Sequence, residues 1–537
     1  MRTIASSFAL AALILPALAV GPPPPPGGGP GHEGPEPPKA GPPKPEPPKP
    51  HPTKKPCPPA PGPKELVTSE KLQALIKLED LLAGSQKLQS IADANDNTRV
   101  FGSRGHNQTV DYLFDTLSAT GYYDVYKQPF TEVYSDGDAK LVINGAEIPS
   151  QIMTYTPSVA ADAPLVAVSN LGCEAEDFPA DVSGAIALIS RGECPFSQKS
   201  TNAKAAGAVA ALIYNNVEGI VAGTLGAAFG DYAPVVGISQ EDGQALLTSL
   251  IAGAVTAKLD IDAVTENRIT YNVIAETKEG DHNNVLVIGG HTDSVAAGPG
   301  INDDGSGTIG VLTVALALTK FKVKNAVRMG FWSAEEFGLL GSEHYMKTVN
   351  TSETELAKIR AYLNFDMIAS PNYIYGIYDG DGNAFNLTGP AGSDVIEKDF
   401  EDFFKSAGSP SVPSEFSGRS DYAAFIENGI PSGGLFTGAE GVKTEEEAAL
   451  FGGEAGVWYD VNYHQAGDTI DNLALDAFLL NTKAIANSVA KYATSFESLP
   501  RVDLAKRRAT GDRIQWKKRN EEHSHKHSGP CGVKDSK

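Results

Sequence analysis

The stretch VLVIGGH at residues 285–291, followed by GPGINDDGSG at residues 298–307, decides the fold of this chain. An apolar run closed by two glycines predicts a buried strand that places His291 at its carboxyl end. Asp303 then lies in a glycine-rich loop, and a helix is expected at residues 306–318. A strand, a tight loop and a helix in succession are typical of an α/β sheet with helices packed on its faces.

Similar apolar runs further along the chain also end in acidic residues. Glu335 and Glu336 follow a run at residues 327–332, and Asp366 follows another at residues 361–365. In open α/β sheets, ligands bind in the crevice outside the carboxyl ends of the strands. Several carboxylates at one such edge would repel each other without a cation between them. The sequence therefore predicts a metal site, with the candidate ligands His291, Asp303, Glu336, Asp366 and His464.

The chemistry of these ligands favours zinc. Two imidazoles and three carboxylates form a mixed nitrogen and oxygen set, which suits zinc better than calcium or magnesium. Five ligand groups exceed the needs of one tetrahedral ion, but they suit two zinc ions about 3.5–4 Å apart that share a bridging carboxylate. Asp303 is the candidate bridge, because a tight glycine loop can hold a short carboxylate between two ions.

Glu335 and Glu336 are adjacent, so we do not expect their side chains to point at the same ion. The simplest division makes Glu336 a metal ligand and Glu335 the general base for the attacking water. Asp293 comes two residues after His291 and lies on the same face of an extended segment. We therefore expect Asp293 to orient the imidazole of His291.

Motifs that follow one another in order carry a close family resemblance. They are GHTDSV (290–295), GPGINDDGSG (298–307), FWSAEEFG (331–338), NFDM (364–367) and YHQ (463–465). They resemble the M28 family of dizinc aminopeptidases, and within it the secreted leucine-type enzymes that carry an inserted protease-associated (PA) domain. The resemblance covers residues 64–500 and is specific, because several motifs occur in the right order. It implies a mixed, mostly parallel α/β sheet flanked by helices, of the zinc peptidase and phosphorylase type, with an inserted β-rich PA domain.

The resemblance further implies a division of the ligands. His291 and Asp366 bind one zinc ion, Glu336 and His464 bind the other, and Asp303 bridges them. The implied reaction is hydrolysis of the amino-terminal bond of peptides and proteins, with a preference for apolar, leucine-like first residues. A hydroxide bridged by the two zinc ions is the implied nucleophile.

Other residues also receive roles from the resemblance. Glu335 is the implied proton acceptor, and Tyr463 donates its hydroxyl to the developing oxyanion. Arg419, in the segment SGRSDY (417–422), resembles a family segment near the substrate, although a structural ion pair explains it equally well. Related enzymes often flank the last histidine with two cysteines, where this chain has Asn462 and Gly467. The missing disulfide weakens the expected rigidity of this loop but removes no catalytic group.

Composition and targeting signals agree with an exported enzyme. At 537 residues the chain can bury a large core and is expected to form two folded units. Its 44 basic and 66 acidic residues give a net charge of -22, which argues against nucleic acid as a partner. Residues 1–19 have the basic start, short apolar run and small-residue cleavage site of a signal peptide. We expect a secreted, extracellular monomer with no membrane partner.

The remaining sequence divides into segments of different character. Residues 20–63 are expected to be a proline-rich, disordered pro-region, and residues 501–537 a basic, disordered tail. The M28 peptidase domain is expected at residues 64–149 and 263–500. The PA domain is expected between these two parts, at residues 150–262.

Local patterns within these segments predict individual elements. Leu75, Leu78 and Leu82 recur at helical spacing and predict one amphipathic helix. Residues 182–190 are expected to form a buried strand, and an alanine-rich helix is expected to follow and to continue through Ala211.

Cysteines and glycosylation signals are interpreted from the secretory context. Cys173 and Cys194 are expected to form a disulfide in the oxidising secretory compartment, whereas the state of Cys57 and Cys531 is left open. Glycosylation sequons begin at three residues, Asn107, Asn350 and Asn386.

Two other function classes remain open. A catalytically silent relative would use its domains only to bind a protein partner, but such a relative would be expected to lose metal ligands or the base, and all six residues are present here. A single-zinc glutaminyl cyclase on a similar fold is the second, and five ligands with Asp303 placed to bridge speak against it. Metal content per chain and activity on an aminoacyl anilide would separate all three classes.

Overall fold

The computed structural model describes residues 64–501. The predicted signal peptide (1–19), the predicted pro-region (20–63), Cys57, Cys531 and all but the first residue of the predicted tail (501–537) lie outside the described residues. Within residues 64–501, each helix is either too short or too polar to cross a bilayer.

Strands and helices alternate along most of the described chain. The strands are β1 (Tyr123–Ile143), β2 (Ala146–Ile148), β3 (Gln151–Ile152), β4 (Val159–Ala167), β5 (Ile186–Ser190), β6 (Ala210–Tyr214), β7 (Val235–Ile238), β8 (Thr256–Thr277), β9 (Asp281–His291), β10 (Asn325–Trp332), β11 (Ile359–Phe365), β12 (Gly376–Tyr378), β13 (Val412–Ser414) and β14 (Ser432–Phe436). The α-helices are α1 (Ser69–Gln73), α2 (Leu78–Asp93), α3 (Arg104–Ala119), α4 (Phe196–Ala205), α5 (Gln240–Ala252), α6 (Gly305–Leu318), α7 (Leu340–Val349), α8 (Glu353–Lys358), α9 (Ser393–Ser406), α10 (Tyr422–Glu427), α11 (Glu445–Phe451) and α12 (Leu475–Tyr492). The helix predicted at residues 306–318 is confirmed as α6.

A mixed, mostly parallel sheet forms the centre of the predicted peptidase domain, called the peptidase part below. Its strands lie side by side in the order β13-β12-β14-β11-β9-β10-β8. Strand β9 runs parallel to β10 and β11, and β11 runs parallel to β14. Strands β8 and β12 run antiparallel to β10 and β14, respectively. The predicted fold class is confirmed.

Helices cover both faces of this sheet, which is why its central strands contain long, buried apolar runs. In β9, Leu286 and Ile288 pack into a core that also contains residues of α2, α6 and α12. The alternate residues Val285 and Val287 pack into a second core with residues of α7 and α10. A strand buried on both faces reads as a continuous apolar run, and such runs predict the sheet.

Two long antiparallel strands connect this sheet to a β-rich insert. Strand β1 pairs with β8 from Tyr123↔Thr277 to Ile143↔Ala257. One end of β8 pairs with β10 of the peptidase sheet, whereas its beginning pairs with β4 of the insert. Strands β5, β6 and β7 continue in parallel from β4 and enclose separate cores. The insert therefore interrupts the peptidase part between α3 and β9.

The insert contains the predicted disulfide between Cys173 and Cys194. The backbone carbonyl of Cys173 also accepts hydrogen bonds from two side chains of α4, Gln198 at 2.7 Å and Asn202 at 2.9 Å. The disulfide and these hydrogen bonds together attach the loop around Cys173 to the start of α4.

Three local predictions are wrong at their boundaries. The alanine-rich helix predicted through Ala211 ends at Ala205, because Gly207 adopts a left-handed φ of 85°, and Ala211 lies in β6. The helix predicted from Leu75 begins only at Leu78; Leu75 is exposed, and its neighbour Ile76 packs into the core instead. The strand predicted at residues 182–190 begins at Ile186, the first residue of β5.

The three predicted glycosylation sites differ in accessibility. Asn350 follows α7 and Asn386 lies in a loop, and both residues are exposed. Asn107 lies in α3 with a buried amide oxygen, and Thr109 of its sequon is fully buried. In protein secreted from a eukaryotic host, we therefore expect glycans on Asn350 and Asn386 and none on Asn107. Glycopeptide mass spectrometry measures this, and an occupied Asn107 would contradict the expectation.

Candidate active site

The carboxyl ends of three parallel strands bring most of the predicted ligands to one edge of the sheet. His291 is the last residue of β9, Asp366 directly follows β11, and Glu335 and Glu336 follow β10. Strands β9, β10 and β11 are neighbours and run parallel, so these residues lie side by side. The loops before α6 and α12 supply the remaining two ligands, Asp303 and His464.

The five predicted ligands form two groups that share Asp303. His291, Asp303 and Asp366 offer ligand atoms within 4.8 Å of one another, and so do Asp303, Glu336 and His464. Oδ1 of Asp303 lies 3.1 Å from Nε2 of His291, and Oδ2 lies 3.1 Å from Nε2 of His464. The two oxygens of one carboxylate thus face different groups, as a bridging ligand requires.

The donor atoms fit a pair of zinc ions. Oε1 of Glu336 and Oδ1 of Asp366 are buried and have no hydrogen-bond partner among the described residues. Nε2 of His291 lies 3.6 Å from Oδ1 of Asp366, too far for a hydrogen bond but close enough for both atoms to bind one ion. Buried carboxylates without partners are costly unless a cation pairs with them. Imidazoles and carboxylates are also donors that zinc prefers.

Burial and charge shift the pKa values of these groups. Burial raises the pKa of Glu335 well above its ordinary value; the nearby Asp366 carboxylate adds to the rise, and His291 opposes it. Burial lowers the pKa of His291, but Glu335 and Asp366 outweigh burial, so this pKa stands well above its ordinary value. Burial raises the pKa of Asp303, yet hydrogen bonds from His291 and His464 outweigh burial and lower it. The site concentrates negative charge in a buried place. Strongly shifted pKa values of this kind are typical of functional sites.

Asp304 and Ser420, which sequence reasoning missed, hold the ligand segments together. Asp304 accepts the backbone N–H groups of His291 at 2.9 Å, Gly307 at 2.8 Å and Met367 at 3.1 Å. It therefore joins the end of β9, the start of α6 and the segment after β11. Ser420 donates its hydroxyl to Oδ2 of Asp366 at 2.5 Å. An aspartate before a glycine-rich helix start is an N-cap signal that points to Asp304, whereas no local signal marks Ser420.

Asp293 contacts the turn that carries Glu335 and Glu336. Oδ1 of Asp293 accepts the backbone N–H of Glu335 at 3.1 Å. The same oxygen lies 3.7 Å from Nδ1 of His291, which is beyond hydrogen-bond distance. Asp293 therefore fixes the position of Glu335 directly, and its predicted role in orienting His291 stays a prediction.

Tyr463 and Arg419 lie together beside His464. The Tyr463 ring stacks on the imidazole of His464, with ring centroids 3.7 Å apart. Nη2 of Arg419 donates to the Tyr463 hydroxyl at 3.2 Å, and Nη1 donates to Glu440 at 2.7 Å. Arg419 thus forms an ion pair and lies next to the site, so the two interpretations of this residue are compatible.

The two positions at which related enzymes carry cysteines are also in contact in this chain. A Cβ atom at Gly467 would lie 2.2 Å from Oδ1 and 2.8 Å from Cγ of Asn462. The Asn462 side chain fills the space beside Gly467, and its amide donates to Oδ1 of Asn472 at 2.6 Å. Hydrogen bonds therefore hold this loop where a disulfide is absent.

Known proteins resemble this chain over most of its length. The profile of peptidase family M28 matches residues 272–489, and the profile of the PA domain matches residues 161–246. A protein of Aspergillus fumigatus named "Probable leucine aminopeptidase 2" is 57% identical over 473 residues, which are 87% of this chain and 93% of that protein. "Leucine aminopeptidase 2" of Arthroderma otae is 54% identical over 439 residues, which are 81% of this chain and 88% of that protein.

Solved structures agree with these relationships. An aminopeptidase from Aneurinibacillus sp. strain AM-1 gives a TM-score of 0.58 at 28% identity, and the match covers 81% of this chain and 97% of that protein. A zinc aminopeptidase from Bacillus subtilis gives a TM-score of 0.55 at 27% identity, and the match covers 78% of this chain and 95% of that protein. The predicted zinc-dependent aminopeptidase activity is thereby confirmed. With relatives of this identity and coverage and with the M28 profile match, the chain belongs to peptidase family M28.

Proposed function

We propose that this aminopeptidase is an extracellular dizinc enzyme that removes apolar, leucine-like residues from the amino termini of peptides and proteins. The observation that carries the proposal is the sharing of Asp303 by two groups of ligand atoms. One carboxylate between two groups is the arrangement that a pair of metal ions needs. The names of the fungal relatives support the leucine-like preference.

Five side chains would hold the two zinc ions. His291 and Asp366 would bind one ion, Glu336 and His464 would bind the other, and Asp303 would bind both. Such ions would polarise the scissile carbonyl and lower the pKa of a shared water. The contribution of the protein is a buried set of ligands whose positions are fixed by Asp304, Ser420 and the strand ends.

Glu335 is the proposed proton acceptor. Its carboxylate is buried beside the ligands, with Oε2 3.8 Å from Nε2 of His291. Burial raises the pKa of Glu335, which makes its carboxylate a stronger base for taking a proton from water, and the protonated group can return this proton to the leaving amine. The hydrogen bond from its backbone N–H to Asp293 keeps Glu335 in place.

Tyr463 is the proposed donor to the carbonyl oxygen on which negative charge develops. Its hydroxyl oxygen accepts a hydrogen bond from Arg419, so its own proton remains available for the substrate. Burial raises the pKa of Tyr463 far above its ordinary value and keeps the hydroxyl protonated. Arg419 fixes this hydroxyl and, in the proposal, lies close to the bound substrate.

Selection of a free amino terminus rests on the relatives, which are named as aminopeptidases. In the proposal, carboxylates beside the metal site, such as Glu335 and Asp366, contact the free α-amino group. A substrate whose amino terminus is acetylated lacks this free group and should be a poor substrate.

The proposal includes the organisation and the location of the chain. A signal peptide (1–19) and a pro-region (20–63) precede a secreted monomer. In that monomer the PA domain (150–262) interrupts the peptidase domain (64–149 and 263–500). The disulfide in the insert supports this location, because disulfides persist in oxidising compartments outside the cytosol.

Removal of the metal tests the proposal. Purified protein is expected to contain two zinc ions per chain and to hydrolyse leucine p-nitroanilide but not its N-acetylated form. A chelator should reduce the rate by more than about 100-fold, and two equivalents of zinc should restore it. Elemental analysis and absorbance of released nitroaniline measure both quantities.

Other results of this experiment would favour the other function classes. A folded protein that binds zinc and hydrolyses no aminoacyl anilide would favour a silent binding protein. A single ion per chain, with cyclisation of amino-terminal glutamine, would favour a glutaminyl cyclase.

A further inference from the structure

Four buried polar residues outside the proposed ligand set connect the two loops that carry Asp303 and His464. We call them the polar clamp; they are Asn302, Asp460, Asp468 and Asn472. Their relative exposures are 0%, 0%, 2% and 6%. None of the four has a part in the proposed reaction. Buried polar groups of this kind fix a single arrangement of a core when their hydrogen bonds are satisfied.

Asp468 holds the backbone of the Asp303 loop over three consecutive residues. Its carbonyl oxygen accepts the N–H of Ile301 at 3.0 Å. Its carboxylate oxygens accept the N–H of Asn302 at 2.8 Å and the N–H of Asp303 at 3.0 Å. Asp468 itself comes only four residues after His464, so one residue directly links the loops of two proposed ligands.

The other members of the clamp hold both sides of the His464 loop. The Asn302 amide donates to Oδ2 of Asp460 at 2.7 Å. The Asn472 amide donates to both oxygens of Asp460, at 3.0 and 2.9 Å, and to Oδ1 of Asp468 at 3.3 Å. Asp460 also accepts the N–H of Asn462 at 2.9 Å. Asp460 and Asp468, which flank His464 in sequence, are therefore held together at the base of its loop.

The backbone of His464 itself needs such support. Its φ is 56°, in the left-handed region that a side chain with a Cβ atom rarely adopts. A strained residue of this kind persists only where its surroundings fix it. No disulfide joins the flanking positions Asn462 and Gly467, so noncovalent contacts must supply the restraint.

We infer that Asp468, supported by the rest of the polar clamp, is a positioning residue that fixes Asp303 relative to His464 before metal binds. The inference rests on the proposed function, in which both residues are zinc ligands. Asp303 belongs to both ligand groups. Loosening its loop therefore weakens the binding of both ions, not only of the ion that His464 binds.

Asp468→Asn is the variant that tests this inference. An amide of the same size offers one acceptor oxygen, so either Asn302 or Asp303 loses the partner of its backbone N–H. Loss of a residue that orients a metal ligand lowers metal affinity by about 10–100-fold. We expect a fall of this size in zinc affinity at both positions, measured by competition with a chromophoric chelator. The visible spectrum of the cobalt-substituted protein should change as well, because the ligand geometry changes.

Asp177→Asn in the insert is the matched control. Asp177 is 6% exposed and accepts the N–H of Glu174 at 3.1 Å and the amide of Asn170 at 2.7 Å. This variant also weakens hydrogen bonds to a buried carboxylate and should lower the unfolding temperature. Its zinc affinity should stay within about 3-fold of the wild-type value, because Asp177 does not connect the loops that carry the proposed ligands.

Asn472→Ala provides a second, milder variant in case Asp468→Asn does not fold. It leaves the three N–H groups of the Asp303 loop bonded to Asp468 and removes the Asn472 amide, which donates to the two clamp carboxylates and accepts a hydrogen bond from Asn462. We expect zinc affinity to fall by about 3–10-fold.

The possible results separate the inference from the proposed function. Wild-type zinc affinity in folded Asp468→Asn, or in Asn472→Ala where that is the variant that folds, would overturn the inference alone. A wild-type protein that binds no zinc would overturn the proposed function and the inference together.

Discussion

Glu335→Gln is expected to retain two zinc ions and to lose peptide hydrolysis by about 10²–10⁴-fold. Glutamine has the size of glutamate, so the backbone bond from residue 335 to Asp293 can remain. The amide cannot accept the proton of the attacking water, and this is the function assigned to Glu335. The change should therefore appear in kcat for leucine p-nitroanilide, with little change in KM, and zinc content should equal that of the wild type.

Glu276→Gln is a suitable control for this variant. Glu276 lies on β8 next to Arg328 and His282 and is half-buried. Its replacement by glutamine removes one carboxylate charge, as Glu335→Gln does. Its substitution should leave kcat within about 2-fold of the wild-type value, since surface and partly buried ion pairs contribute little beyond local stability. A rate near that of the wild type in Glu335→Gln would remove Glu335 from the role of base.

The residues at the sheet edge could be predicted because each of them closely follows an apolar strand in the sequence. Strand β9 is buried on both faces, so its apolar run marks it, and the polar residue that ends the run must lie at the edge. The same reasoning finds Glu335, Glu336 and Asp366 after β10 and β11. Parallel strands then place these residues side by side, and the structure brings His291, Glu336 and Asp366 to within reach of Asp303.

The residues that support the site were not predictable in this way. Asp468 bonds to the N–H of Asp303, 165 positions earlier in the chain, and neither residue carries a local sign of this pairing. Arg99 is a further example: this fully buried guanidinium donates to the carbonyls of Thr292, Pro299 and Gly300 in the loop before Asp303. Partners of this kind are set by the packed fold, which periodicity and spacing do not reveal.

The errors in local structure also have a physical origin. Helix propensity favours alanine strongly, so the run of alanines after Phe196 suggested one long helix through Ala211. The left-handed Gly207 ends that helix, and the short apolar run Ala210–Tyr214 becomes strand β6 between β5 and β7. A short apolar run does not distinguish a buried helix from a buried strand, and here the neighbouring strands decide.

Asp303→Ala is expected to weaken zinc binding at both positions. Each oxygen of Asp303 faces one imidazole, and the residue belongs to both ligand groups. In the proposed dizinc site, its removal would leave each ion with two protein ligands, where a zinc site commonly has at least three. We expect loss of hydrolysis by more than about 10³-fold at limiting zinc. Zinc content after dialysis and the rate on leucine p-nitroanilide measure the effect.

Asp366→Ala is the matched comparison, because Asp366 belongs to one group only. It should release one ion and retain the other, whereas Asp303→Ala should release both. Thermal unfolding gives a second readout: zinc at 100 times its dissociation constant stabilises a one-site protein by about 2.7 kcal/mol. Wild-type protein, with two sites, should show more than this stabilisation, Asp366→Ala about this much from the ion that it retains, and Asp303→Ala almost none. If Asp303→Ala instead keeps one tightly held ion and normal turnover, Asp303 does not bridge the metals, because a shared ligand cannot be lost without affecting both sites.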